Sequence, residues 1–237
     1  PAAPRTHLMN RHDHLSLQAA IIDLDGTLVD TLGDFVQALN LTLQELALPP
    51  LPRETVGRLV GKGSEHLILS ALARVGVAEP AARYDAAWAA YQRHYQAVNG
   101  RHSEVFPGVR EGLAALRARG LPLACLTNKP LAFARELLRA KGLDGHFGHV
   151  FGGDSFERKK PDPLPLLKAC EALGTAPAAT LMVGDSQNDA LAARAAGCPV
   201  VLVRYGYNHG EPIAQAPHDA LIDSLEELRH WPAAAGL

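Results

Sequence analysis

Apolar and polar positions alternate in blocks along most of this chain. Residues 19–22 read Ala-Ala-Ile-Ile and pass into Asp23-Leu24-Asp25-Gly26-Thr27, the pattern of a buried strand entering a turn. Comparable apolar runs recur at Leu121 to Thr127, Val150 to Gly153, Thr180 to Asp185, Val200 to Val203 and, more weakly, Ala220 to Ile222. Between them, helical patterns span Val109 to Arg119, Leu131 to Lys141, Pro163 to Leu173 and Asp189 to Ala196. Gly120, Gly142, Gly174 and Gly197 follow just beyond as helix stops. Strand and helix in repetition predict an α/β fold, a doubly wound parallel sheet with helices on both faces. Ligands of such sheets bind beyond the carboxyl ends of the strands. At those ends the sequence places Asp23 and Asp25, Thr127 and Asn128, and Asp185.

Residues 32–104 break the alternation. Leu32, Phe35, Val36, Leu39, Leu43 and Leu46 recur at three- and four-residue spacing, which marks an amphipathic helix. Further helical patterns follow at Glu65 to Val75 and Ala81 to Val98, with no convincing strand between. The expected organisation is therefore a tail over residues 1–18, a Rossmann-like α/β core over 19–31 and 105–237, and an all-helical cap over 32–104. A cap inserted after the first strand is placed to act as a lid.

Composition narrows the function classes. Of 237 residues, 47% are hydrophobic and 20% charged, enough apolar content to build a core. Lys and Arg number 23 against 25 Asp and Glu, so no global positive field draws the chain to nucleic acid or an anionic membrane. The longest apolar runs are about six residues, as at Ala86 to Tyr91, far short of a membrane span. Three cysteines without CxxC spacing, Cys125, Cys170 and Cys198, read as reduced thiols and a cytoplasmic setting. His7, His12 and His14 in the tail lack the surroundings of a built metal site. The expected partner is a small phosphorylated metabolite rather than a nucleic acid or a membrane, on the chemistry that follows; the sequence leaves monomer and dimer both open.

That chemistry starts from two carboxylates, Asp23 and Asp25, at one strand end. Paired carboxylates can bind a hard cation, attack as a nucleophile, or move a proton. Thr127-Asn128-Lys129 offers a hydroxyl, an amide and backbone donors to an anionic oxygen near a helix start. Lys159-Lys160-Pro161 presents a cation beside a rigid turn, and Gly184-Asp185-Ser186-Gln187-Asn188-Asp189 carries two acids on a strand-to-helix turn. Asp189 alone also suits an ordinary first-turn acid favoured by the helix dipole. Four strand ends bearing acids, a hydroxyl and a lysine favour one composite site for an anion and a metal.

These motifs resemble the haloacid dehalogenase superfamily: D-x-D-G-T at Asp23 to Thr27, the Thr127 turn, Lys160 before Pro161, and G-D-S-x-x-D ending at Asp189. The resemblance implies Asp23 as the nucleophile forming an aspartyl-phosphate, and Asp25 as the acid and then the base. It implies Mg2+ on the Asp23 carboxylate, the Asp25 backbone carbonyl and the Asp185 carboxylate, with Asp189 in support. Thr127 and Lys160 would hold the phosphoryl oxygens, Asn128 assisting. An acid at position 25 sets the chain apart from the superfamily's dehalogenases, ion pumps and phosphonoacetaldehyde hydrolases, and a phosphate ester hydrolase fits best.

The cap turn Val60-Gly61-Lys62-Gly63-Ser64, with Phe106-Pro107-Gly108-Val109, Gly152-Gly153-Asp154 and Tyr205 to Glu211, resembles the bacterial phosphoglycolate phosphatases of that superfamily. The substrate this implies carries a carboxylate opposite its phosphate, and Arg58, Lys62 and the amides of Gly61, Gly63 and Ser64 are candidates to meet it. Lys62 departs from the asparagine common between those glycines, and a cap lysine in this region forms the Schiff base in phosphonoacetaldehyde hydrolases. The alternatives are a phosphatase or phosphomutase for another small metabolite such as a sugar phosphate, a phosphonoacetaldehyde hydrolase, or a non-catalytic regulatory module.

Overall fold

The computed structural model describes residues 17–231. The expected tail, with His7, His12 and His14, lies outside them except for its last two residues. Those two are ordered: Leu17 is buried in the core, and the Gln18 amide donates to the Ala179 carbonyl at 2.8 Å.

Six strands form one parallel sheet: β1 (Ala19–Ile22), β4 (Leu123–Leu126), β5 (His149–Phe151), β6 (Thr180–Gly184), β7 (Val200–Val203) and β8 (Ala220–Ile222). Their order is β5-β4-β1-β6-β7-β8. The chain builds outward from β1 through β4 to β5, then crosses to the other side of β1 for β6, β7 and β8. The reversal puts a crevice at the carboxyl ends of β1, β4 and β6.

Strands that read as unbroken apolar runs are buried on both faces, and their side chains still alternate. Ala20, Ile22, Leu123, Cys125, Leu181 and Val183 face α5 (Val109–Ala118) and α6 (Leu131–Ala140). Ile21, Ala124, Leu126, Met182, Val200 and Leu202 face α7 (Leu164–Leu173) and α8 (Gln187–Ala196). Every helix stop read from the sequence, Gly120, Gly142, Gly174 and Gly197, has positive φ. Cys125, Cys170 and Cys198 are free and buried.

The inserted segment folds as four helices, α1 (Leu32–Glu45), α2 (Arg53–Leu59), α3 (Ser64–Arg74) and α4 (Tyr84–Val98). They share a separate apolar cluster built on Phe35, Leu39, Leu43, Leu67, Leu72, Tyr91 and Tyr95. Phe133 of α6 joins that cluster from the sheet side, and Tyr207 packs against it. Helix α2 is absent from the sequence reading because seven residues interrupted by Gly57 show no period. The third predicted helix begins at Tyr84 rather than Ala81, after a single 3₁₀ turn over Pro80–Arg83.

The chain crosses between the sheet and the helices twice, at β2 (Val29–Asp30) and β3 (Glu104–Val105), which pair antiparallel. Asp34, fully buried, accepts from the Gly100 and His102 amides at 2.9 and 2.7 Å and ties the two crossings together. Among the described residues no helix is long and apolar enough to cross a membrane.

Candidate active site

Beyond β1 the backbone turns back on itself. The Leu28 and Val29 amides both donate to the Leu24 carbonyl, and Gly26 donates to Val29. Leu24 is buried beneath the turn, which leaves Asp23 and Asp25 on the wall of one cavity. Gly26 is required there by conformation and by space: its φ is +86°, and a Cβ would lie 2.1 Å from Asp185 Oδ2. Gly206 clears the opposite side, where a Cβ would lie 2.1 Å from the Asp185 Cβ. Asp185 thus stands in a slot cut by two glycines.

Lys160 is the hub. Its ammonium, 4% exposed as a residue, donates to Asp23 Oδ1 at 2.9 Å, to Asp189 Oδ1 at 2.6 Å and to the Leu126 carbonyl at 2.8 Å. One side chain therefore joins the ends of β1 and β4 to the start of α8. Asp189 completes a capping box: its Oδ2 accepts from the Ser186 amide and hydroxyl at 3.1 and 2.7 Å. The two readings of Asp189, helix cap and site acid, are both realised, one through each oxygen.

Thr127 is buried, and its Oγ1 accepts from the Lys129 amide at 3.2 Å, which leaves the hydroxyl proton for another acceptor. Asn128 is committed elsewhere. Its amide nitrogen donates to the Gly61 carbonyl at 3.1 Å and to the Lys160 carbonyl at 2.9 Å, so it pins the cap loop to the core. Asn188 donates to the same Gly61 carbonyl at 3.2 Å. Gly61 and Gly63 line the cavity with Ser64, as expected of that turn. Arg58 and Lys62 do not: Arg58 is exposed and paired with Glu54, and Lys62 is exposed at the rim.

The sequence reading passed over Lys129, Tyr91, Tyr95 and Phe35, which form the far wall of the cavity. The Lys129 ammonium lies 2.6 Å from Asp25 Oδ1 and sits 4.5 and 4.9 Å from the ring centroids of Phe35 and Tyr95. The segment Tyr205 to Glu211 braces the other side. Tyr205 donates to the Thr27 carbonyl, the Tyr207 amide to Asp185 Oδ2 at 2.5 Å, and the Tyr207 hydroxyl to Asp30.

The electrostatics identify what this cavity lacks. Asp23, Asp185 and Asp189 are buried and bring carboxylate oxygens within 4.8 Å of one another. Burial foremost pushes the Asp23 carboxyl up to about 7; Lys160 pulls it back and Asp189 pushes it further. Asp185 is raised well above the usual carboxylate range by burial and then by the charges of Asp23 and Asp189. With all four acids ionised, Asp23, Asp25, Asp185 and Asp189 pair with Lys129 and Lys160 alone among the described residues, a shortfall of two positive charges. Hard oxygen donors and that deficit fit a divalent cation at the cluster of Asp23, Asp185 and Asp189. Asp189 completes the cluster, its oxygens accepting from Lys160 and Ser186.

With the geometry in place, comparison decides the family. A profile of the haloacid dehalogenase-like hydrolases matches residues 17–197. The chain belongs to the haloacid dehalogenase-like hydrolase family. Among its curated relatives, a phosphoglycolate phosphatase from Thiobacillus denitrificans is 46% identical, over 90% of this chain and 94% of that protein. A plasmid-borne phosphoglycolate phosphatase from Cupriavidus necator is 49% identical, over 90% and 92%. The crystal structure of a predicted phosphoglycolate phosphatase from Haemophilus somnus superposes with a TM-score of 0.82 at 34% identity, covering 90% of this chain and 96% of that one. For a hydrolase of this family the four strand-end motifs are the expected landmarks, and here they meet in one cavity.

Proposed function

We propose that this chain is an Mg2+-dependent phosphomonoesterase acting on 2-phosphoglycolate in the cytoplasm. The observation that carries the chemistry is the meeting of Asp23, Asp25, Thr127, Lys160 and Asp185 around one buried cavity. The similarity to phosphoglycolate phosphatases at 46% and 49% identity supports the substrate.

In the first step an Asp23 carboxylate oxygen attacks phosphorus. A P–O bond forms, the ester P–O bond breaks, and Asp25 gives its proton to the departing alkoxide. In the second step Asp25 takes a proton from water as the water oxygen attacks the aspartyl-phosphate, releasing inorganic phosphate and restoring Asp23. A bound Mg2+ supplies charge neutralisation at the phosphoryl oxygens. Thr127 has a hydroxyl proton to offer the same oxygens. Lys160 acts mainly through its charge, since an ammonium has three protons and all three are engaged. Asn128 serves as a strut between cap and core.

The cavity is about 30 Å³, room for roughly two waters. A phosphate ester enters only if the cap, residues 32–104, parts from the core. An open groove of about 740 Å³ adjoins the cavity through Ser64, Asn128, Pro130 and Phe133, and is the natural way in.

Phosphate release from a panel of small esters, with and without Mg2+, tests the proposal. A Mg2+-dependent preference for 2-phosphoglycolate of about tenfold or more, roughly 1.4 kcal/mol, is the expected result. A hexose phosphate hydrolysed equally well sinks the substrate assignment, and release that ignores Mg2+ and EDTA sinks the metal.

Metal binding itself carries a pH signature. A carboxyl raised to about 7 keeps its proton in most metal-free molecules below that pH and must lose it to become a ligand. Titration calorimetry at pH 6.5 in buffers of different ionisation heat should show proton release on Mg2+ binding that shrinks as the pH passes 8. Release that does not vary with pH would remove Asp23 from the ligand set.

A further inference from the structure

The far wall of the cavity holds polar groups that the phosphoryl chemistry does not use. The hydroxyls of Tyr91 and Tyr95 are buried and make no hydrogen bond. Both rings line the cavity. Burial first, and the negative charge of Asp25 next, hold both phenols protonated, so each is a donor without an acceptor. An unpartnered buried hydroxyl costs stability that phenylalanine would not. The same cavity is lined by Lys129, whose side chain is 2% exposed. Its ammonium rests against the Phe35 and Tyr95 rings and pairs with Asp25, the only acid it reaches among the described residues. The carboxylates and Lys160 thus share the cavity with a second cation and two idle donors.

We propose that Lys129, Tyr91 and Tyr95 form the seat for the carboxylate of the substrate, with Lys129 parked on Asp25 until that carboxylate arrives. The seat rests on the phosphoglycolate reading above and deepens it. A small anion entering beside Lys129 replaces Asp25 as the partner of the ammonium and gives the two phenols an acceptor. The exchange leaves the number of buried ion pairs unchanged, and it frees the Asp25 oxygen that must turn toward the ester oxygen. An ester without a carboxylate leaves Lys129 on Asp25 and is turned over slowly. Discrimination is thereby coupled to the proton transfer rather than to phosphate binding.

The test compares 2-phosphoglycolate with ethyl phosphate, which lacks the carboxylate, in wild type, Lys129→Met, Tyr91→Phe and Tyr95→Phe. Lys129→Met should lower kcat/KM on 2-phosphoglycolate about 100-fold more than on ethyl phosphate. The ethyl phosphate rate also reports that the variant is folded. Each tyrosine variant, missing only an idle hydroxyl, should raise KM for 2-phosphoglycolate by about tenfold, leave ethyl phosphate unchanged, and melt no earlier than wild type. Equal loss on both esters in Lys129→Met would make Lys129 a support for Asp25 and overturn the seat. So would a preference that survives all three substitutions, although the phosphoglycolate reading would then stand. A wild type that does not prefer 2-phosphoglycolate over ethyl phosphate removes the reading and the seat together.

Discussion

Asp23→Asn should reduce phosphate release on the order of 10⁴-fold or more, the scale seen when a nucleophile that acts with its partners is removed. The substitution keeps the shape of the side chain and takes away the anionic oxygen that attacks phosphorus. It also weakens the cation site, so the assay needs Mg2+ raised until the rate no longer changes. Recovery at high Mg2+ would make Asp23 a metal ligand only, and an unchanged rate in folded protein would sink the nucleophile outright. A quenched wild-type sample should show one added phosphoryl group by intact mass, absent from the variant.

Stability should move the other way. The Asp23 carboxyl is pushed up to about 7 in the fold, against roughly 4 in an unfolded chain, so the folded protein binds that proton more tightly. Stability tied to that proton is complete below about pH 4 and is lost as the pH rises through about 7. Asparagine has no such proton. In EDTA, the stability difference should therefore shift in favour of the variant between pH 4 and 7 and level off above.

Much of this architecture is legible because its physics is local. Each of the six strands is a short apolar run ending in polar residues, and each core helix ends at a glycine that takes positive φ. What escaped reading is short or non-local. Helix α2 has seven residues, and the ribbon of β2 and β3 has two residues a strand with partners 74 positions apart at Asp30 and Glu104. No window of sequence contains that pairing.

The site divides the same way. Asp23, Asp25, Thr127, Lys160 and Asp185 stand at strand ends or on the loops beside them, and Asp189 in the first turn of α8, where a parallel sheet must collect them, and their motifs mark them. Lys129 stands one residue past the named Thr127 and Asn128, yet its role depends on rings from α1 and α4 that only tertiary packing brings near. Tyr91 and Tyr95 fall at helical spacing in an apolar stripe, where aromatic residues read as core. Their idle hydroxyls are visible only once every neighbour is placed. Arg58 and Lys62 drew attention by charge, but long cationic side chains on a surface helix or a turn stay in water unless something buries them. Here nothing does.

The largest effect on folding should come from Lys160→Met. The variant keeps the length of the side chain and removes a charge that is 4% exposed and bound to three acceptors. Burial alone would lower the affinity of this lysine for its proton, but Asp189 and Asp23 together more than reverse that and raise it. A lysine held above its unfolded value contributes its full stabilisation at every pH below about 10, so the loss is complete at pH 8. Without the ammonium, Asp23, Asp185 and Asp189 repel one another in a dry site, and the Leu126 carbonyl loses a donor. Removing one partner of a buried pair costs about 3–5 kcal/mol, which denaturant unfolding in EDTA would resolve. Lowering the pH to 5 should return part of the loss by protonating the carboxylates, and Mg2+ should return part at pH 8. Asp189→Asn is the control: Lys160 keeps Asp23 and the Leu126 carbonyl, so the cost should stay nearer the 0.5–2 kcal/mol, roughly, of a weakened helix cap. A loss under about 1 kcal/mol in Lys160→Met, or one insensitive to pH and Mg2+, would show that the carboxylates are not in the electrostatic balance described here.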